Sequence, residues 1–221
     1  MTLRRLVVLG GGEHARVVID AARSALPAWE VLGVVDPGTA ERTRTLLAVE
    51  HLGDDEGFSA TLDALSPAER PHLVLGLGAI GDPEARRVLV ARYDGRAPWA
   101  TLVHGAAWVA PSATLAPGAV VLAAAAVNAG ARIGAHAVVN TGAVLEHDAV
   151  LGEYAQLAPG AVVGGGAVVE AGAYVGLGAL VRDHVTVGRG SIVGMGAAAV
   201  ADVPAGAVVI GVPARRHEAG R

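Results

Sequence analysis

The sequence predicts a small parallel α/β sheet followed by a long parallel β-helix, and three observations carry that expectation. An aliphatic residue recurs every six positions, without insertion, through Val109, Leu115, Val121 and onward to Val193. Four positions after each stands a small residue: Ala in thirteen of fifteen hexads, with Val185 and Ser191 the exceptions. Ahead of the repeat, residues 1 to about 96 instead show strand, glycine turn and helix in alternation. A six-residue period suits neither a 3.6-residue helix nor a two-residue strand alternation. It suits a solenoid in which each hexad is one short strand and one turn.

The N-terminal half opens with Leu6-Val7-Val8-Leu9, a buried strand that runs into Gly10-Gly11-Gly12. From Glu13 to Leu26, Val17, Val18, Ala21 and Ala22 recur with helical spacing. Val31 to Val35 is a second strand, stopped by Asp36-Pro37-Gly38, and Leu73 to Leu77 a third. Asp82 as N-cap and Pro83 in the first turn open a helix through Arg92. This order implies a Rossmann-like sheet with helices on its faces. The boundaries expected are 1–96 for this domain and 97–221 for the β-helix and its tail.

In the β-helix, three hexads close one coil of eighteen residues, so fifteen hexads make five coils. Gly fills nine of the fifteen positions three residues past the aliphatic anchor, where a corner needs unusual backbone angles. After Ala201 the pattern breaks, and a tail begins at Asp202.

Composition bounds the function. Half the residues are hydrophobic and only seven are aromatic, as suits a core of Val, Ala and Leu. A net charge of −4 without a Lys/Arg run argues against nucleic acid. The chain has no cysteine, which excludes disulfides and thiolate metal sites. Its apolar runs are too short to span a membrane or act as a signal peptide, so a cytoplasmic location is expected.

Two places carry chemistry. Gly10, Gly11 and Gly12 end a strand and open a helix, where bare backbone N–H groups suit a phosphate. His14 stands in the same turn, and Asp36, ending the second strand, is placed for a ribose hydroxyl or base edge. The domain is too short for two nucleotide halves, so one mononucleotide, such as the UDP part of a sugar nucleotide, fits better than NAD. The second place is Glu146-His147-Asp148, a charged departure in a solenoid of Gly and Ala. One coil later, His147's position is occupied by Gly165, within Gly164-Gly165-Gly166. An imidazole beneath a bare amide suits acyl transfer: a base for the attacking group and an N–H for the oxyanion. Asn140 adds a polar group on the same coil. His136 and His184 occupy corner positions and read as turn residues, while His104 reads as a cover for the solenoid's open end. His136, His147 and His184 are separated by 11 and 37 residues, not multiples of eighteen, so no metal site is expected.

These motifs resemble the left-handed β-helix acyltransferases, and within them the sugar-nucleotide acetyltransferases that act on bacillosamine, perosamine or sialic acid precursors. The likeness rests on Gly10 to Val18, Gly81 to Arg86, Asn140 to Asp148, Ala158 to Ala161 and Gly211 to Arg215. The resemblance implies a left-handed coil and an acetyl-CoA-dependent N-acetyltransferase acting on a nucleotide-linked amino sugar. His147 would be the general base, Asp148 its orienting partner and Gly165 the oxyanion donor. It further implies that Gln156, Leu177, Met195, Pro213, Ala214 and Arg215 line acetyl-CoA. Gly11, Gly12, His14, Asp36 and Asn140 would hold the nucleotide sugar. A homotrimer with CoA between neighbouring solenoids is implied, with no metal. Two departures stand out: Gln156 replaces a second histidine, and Glu13 precedes His14 in the glycine turn. O-acetylation of a sugar or sialic acid hydroxyl would use the same base and donor. Outside this class, a zinc hydratase and a non-catalytic scaffold are the alternatives.

Overall fold

In the computed structural model, residues 4–41, 43, 48–78 and 83–217 are described. They form two compact units, one ending at Gly105 and the other beginning at Ala106.

The first unit is built on three parallel strands, β1 (Arg4–Leu9), β2 (Trp29–Val35) and β3 (His72–Leu75), in the order β2-β1-β3. β1 is central, and Leu6, Val7, Val8 and Leu9 are fully buried, as expected of a strand covered on both faces. Helix α1 (Glu13–Ser24) follows the glycine turn and buries Ala15, Val18, Ile19, Ala21 and Ala22. It ends two residues earlier than its spacing suggested, because Pro27 keeps the preceding residues out of helical geometry. The third strand likewise stops at Leu75. Helix α2 (Asp55–Ala64) went unrecognised in the sequence; Asp54 caps it by accepting the Gly57 N–H at 2.9 Å. Helix α3 (Glu84–Tyr93) begins where Pro83 predicted, while its expected cap, Asp82, lies outside the described residues. β4 (Leu102–Val103) lies against α1. His104 Nε2 stands 3.7 Å from Oδ2 of Asp20 in α1.

The second unit is a parallel β-helix of two-residue strands, β5 (Trp108–Val109) through β20 (Ala198–Ala199). Each strand pairs with the one eighteen residues on: Val127 with Leu145, Leu145 with Val163, Val163 with Val181. The anchors from Val121 onward are buried, and so is the residue four positions after each: Val185, Ser191 and otherwise Ala. The expected five coils become about six turns. Past Ala201 the coil continues with two residues fewer: Val187 bridges to Val203, and Ile192 and Val193 pair with Val208 and Val209 of β21 (Val208–Ile210). β22 (Arg215–Arg216) then folds back antiparallel on β21.

The corners explain the glycines. All nine glycines three residues past the anchor have positive φ, from 61° to 77°. At the same position Ala124, His136, Asp148, Tyr154 and His184 adopt φ of 56–58° despite carrying a side chain. His136 and His184 are therefore corner residues, as read from the sequence, and His136 stacks on Tyr154 at 5.2 Å. Asp148 is the best suited of the five, since Asp and Asn enter the left-handed region more readily than other side chains.

Candidate active site

The corner after Leu145 brings three residues of the sequence motif together. A straight strand would send His147 and Asp148 to opposite faces. The left-handed turn at Asp148 instead folds its carboxylate back, and Oδ2 lies 3.0 Å from His147 Nδ1. Nδ1–H donates there, which fixes the tautomer and leaves Nε2 with a free lone pair. The His147 N–H donates to Glu146 Oε2 at 3.2 Å. The hydrogen bond to Asp148 raises the His147 pKa above its ordinary value, partly opposed by desolvation and helped by the charges of Asp148 and Glu146. The imidazole is a strengthened base, well exposed to an incoming substrate.

Gly164, Gly165 and Gly166 lie one coil on, and each is glycine for a separate reason. A Cβ on Gly164 would stand 2.5 Å from the Asp183 backbone N of the next coil. Gly166 has φ +63°. A Cβ on Gly165 would meet His147 Nε2 at 2.5 Å, so the ring lies directly against the bare backbone. The Gly164 and Gly166 N–H groups donate to Val181 O and His147 O, both at 2.9 Å. The Gly165 N–H has no acceptor among the described residues. A free base nitrogen and a free N–H thus stand side by side at one corner.

The other residues assigned to the cosubstrate do not share that corner within one chain. Leu177 and Met195, one coil apart and 48% and 77% exposed, lie at the preceding corner, between the face of Val139 and that of Leu145. Asn140 is at that corner too, on the same coil as His147 but a face away, and its Oδ1 accepts the Thr141 N–H at 2.8 Å. Gln156 is half-buried on the face of Leu157, between Val138 and Tyr174 in register. Pro213, Ala214 and Arg215 turn over the last coil, where the Ala214 N–H donates to Ala198 O.

In the first unit the glycine turn differs from expectation at one atom. The Gly11 N–H is not open for an anion, because it donates to Asp36 Oδ2 at 2.7 Å. Asp36 Oδ1 accepts the Gly38 N–H at 2.8 Å, so the carboxylate ties the turn to the end of β2. The anion donors left are the first N–H groups of α1, after Gly12, which caps the helix without a side chain. Glu13, in the first turn of α1, is exposed. Burial, followed by the charge of Arg86, lowers the His14 pKa to about 4, so His14 is neutral near pH 7. Arg86 is 1% exposed, and nothing in its helical spacing marked it as interior.

Among the described residues no group of three His, Asp or Glu side chains is placed to hold a metal ion. None of their helices is long and apolar enough to cross a membrane.

A left-handed hexapeptide β-helix with an oriented histidine beside a free amide defines an acyltransferase. Residues 130–165 match the bacterial transferase hexapeptide (six repeats), and residues 5–93 match the PglD N-terminal domain. A histidine-to-alanine variant of GDP-perosamine N-acetyltransferase from Caulobacter crescentus, solved with CoA and GDP-perosamine, is 35% identical. The two chains cover 99% of each other with a TM-score of 0.85. The acetyltransferase domain of PglB from Neisseria gonorrhoeae, solved with acetyl coenzyme A, is 30% identical over 98% of this chain and 100% of that one, with a TM-score of 0.84. WeeI from Acinetobacter baumannii shares the fold at 23% identity over 98% and 100% of the two chains, with a TM-score of 0.77. No curated protein sequence matches the chain. The chain belongs to the sugar N-acetyltransferases of the hexapeptide-repeat family.

Proposed function

We propose that the protein transfers the acetyl group of acetyl-CoA to the amino group of a nucleotide-linked amino sugar, with His147 as general base. The observation that carries this is the His147 Nδ1–Asp148 Oδ2 bond of 3.0 Å, which leaves Nε2 free against Gly165. His147 Nε2 takes the proton as the amine nitrogen attacks the thioester carbon. The charge that develops on the carbonyl oxygen is met by the Gly165 N–H. Collapse then breaks the C–S bond and releases CoA as thiolate, which takes up a proton. The chain has no cysteine for a thiol-borne acyl intermediate, and direct attack requires none.

Asp148 keeps the imidazole in one tautomer and stabilises the imidazolium formed during proton transfer. Leu177 and Met195 present an exposed apolar column suited to a pantetheine arm, with Gln156, Pro213, Ala214 and Arg215 as its polar and terminal contacts. Leu177 and Met195 stand at a different corner from His147, and Gln156 lies on a strand face, within one chain. A homotrimer answers that separation, since a neighbouring copy's corner then completes each site. Gly12, His14 and Asp36 of the first unit hold the nucleotide, with Gly11 acting through Asp36 and Asn140 serving the sugar. A cytoplasmic enzyme, working where acetyl-CoA is available, fits this reading. The Caulobacter relative carries CoA and GDP-perosamine together, which supports transfer to nitrogen over transfer to a hydroxyl.

Thiol release from acetyl-CoA with UDP-, GDP- and dTDP-linked amino sugars tests the proposal. One amino sugar should drive release, and His147→Ala should lower the rate about 10²–10⁴-fold, the usual worth of a positioned general base. Turnover only with a hydroxyl acceptor, or an unchanged rate in the variant, would overturn it.

A further inference from the structure

The first unit contains a cavity of about 420 Å³ that the chemistry at His147 does not use. Its floor is the carboxyl end of the sheet, with Gly10 after β1 and Val35, Asp36 and Pro37 at the end of β2. Leu77, Val88 and Leu89 supply apolar walls, and Val88 is 55% exposed on α3. Ligands of open parallel sheets bind outside the carboxyl ends of the strands, and the volume is that of a small-molecule site. If a nucleoside diphosphate binds at the glycine turn, as the proposed function requires, its phosphates take the first N–H groups of α1. Its ribose then takes Asp36, and its base extends into this cavity.

Besides Asp36 and Glu84, two charged side chains line the cavity, Asp55 and Arg92, and their arrangement is specific. Asp55, in the first turn of α2, is held by Tyr93, whose hydroxyl donates to Oδ1 at 2.8 Å. Tyr93 is fully buried, and burial followed by Asp55 raises its pKa, so it remains a donor. Arg92 Nη1 stands 3.7 Å from Asp55 Oδ2, too far for a hydrogen bond, so acceptor and donor are adjacent without consuming each other. The cavity therefore presents apolar walls together with a carboxylate held by Tyr93 and a guanidinium beside it.

We propose that this cavity selects guanine, with Asp55 accepting from the base N1–H and N2–H₂ and Arg92 donating to O6 or N7. Guanine alone sets two adjacent donors beside two acceptors. Uracil and thymine have a single N–H flanked by two carbonyl oxygens, which a carboxylate repels. Adenine offers one exocyclic donor, so it leaves part of the carboxylate unmatched. The nucleotide of the acceptor is thus guanosine diphosphate, and Asp55 is the residue that determines specificity.

Calorimetric titration of the full chain with GDP, IDP, ADP and UDP tests this. GDP should bind about ten- to a hundredfold more tightly than UDP or ADP, the worth of one good bidentate contact. IDP lacks only the N2 amino group and should bind about tenfold more weakly than GDP. Asp55→Ala, which leaves no acceptor for the N2 amino group, should erase the difference between GDP and IDP. Equal affinity for GDP and IDP in the unaltered chain, or tighter binding of UDP, overturns the guanine assignment whether or not the variant folds. Acetyl transfer to a UDP-linked amino sugar would then leave the proposed reaction standing. Failure of all four diphosphates to bind would defeat the nucleotide reading together with the base.

Discussion

His14 and His147 are shifted in opposite directions by opposite environments, and the two units differ in the same way. His14 sits in an irregular α/β unit where burial and Arg86 remove its proton. His147 stands on the surface of a repeating solenoid whose interior is filled by Val, Leu and Ala. There a neighbouring carboxylate, not burial, sets its proton affinity. The solenoid core is almost wholly apolar, so its chemistry is mounted on corners and tuned by adjacent side chains. The α/β unit can tune a group by enclosing it.

Removing the tuning at the solenoid corner should have the largest effect. Asp148→Asn keeps the left-handed corner accessible but discards the carboxylate charge. The acetyl-transfer rate at neutral pH should fall on the order of a hundredfold, because the imidazole loses its orienting acceptor. The pH profile should move as well. A general base must be neutral, so activity falls as pH drops through the His147 pKa. Asp148 raises that pKa, so in the variant the acid limb of kcat/KM should shift to lower pH. An unmoved limb would show that Asp148 does not act through His147.

At the buried histidine the readout is stability. Above pH 6.5, His14 is neutral in the folded and unfolded chain alike, and protonation costs nothing. Between pH 6.5 and about 4 the unfolded chain takes up a proton that the folded one refuses. Stability should therefore fall across that window, by up to about 3 kcal/mol from this group. Denaturant melts from pH 7 to 4 should show the loss, and His14→Gln should flatten it. A variant as acid-sensitive as the parent would place the loss elsewhere.

What was legible in the sequence follows the same division. Strict repetition made the anchors, the small residues and the glycine corners readable, and the charged string Glu146-His147-Asp148 stood out as a candidate site. The register of eighteen residues alone sets Gly165 against His147. The last coil was hidden because it drops two residues, breaking the period while keeping Val203 and Val209 buried. The α/β unit was harder to read. Asp55 to Ala64 buries only Phe58 and Leu62, too few to mark a helical face. Arg86 and Tyr93 are buried residues of types that usually reach solvent. Asp36 was recognised, but its capture of the Gly11 N–H depends on two segments meeting in space.

A subtler test of the site adds one methyl group. Gly165→Ala leaves both His147 and Asp148 in place but drives a Cβ to within 2.5 Å of Nε2. Gly165 has an ordinary φ, so the backbone accepts alanine, and the imidazole is what must move. The rate should fall on the order of tenfold or more, with kcat affected more than KM. Wild-type kinetics would show that the ring does not work from this position.

The smallest effect separates what a corner needs from what the site needs. Ala124 and Asp148 hold the same position in their hexads, with φ of 56° and 58°. An L-residue in this conformation costs roughly 1–2 kcal/mol, and glycine relieves it at some cost in unfolded-chain entropy. Ala124→Gly should therefore stabilise the fold by about 0.5–1 kcal/mol and leave acetyl transfer untouched. Asp148→Gly relieves the same backbone angle but removes the carboxylate from Nδ1 of His147, so any stability gained should come with loss of activity. Thermal melts and thiol-release rates on the two variants give both quantities. If Asp148→Gly kept its rate, Asp148 would be only a corner residue, like Ala124, His136 and His184, and the solenoid's chemistry would rest on His147 and Gly165 alone.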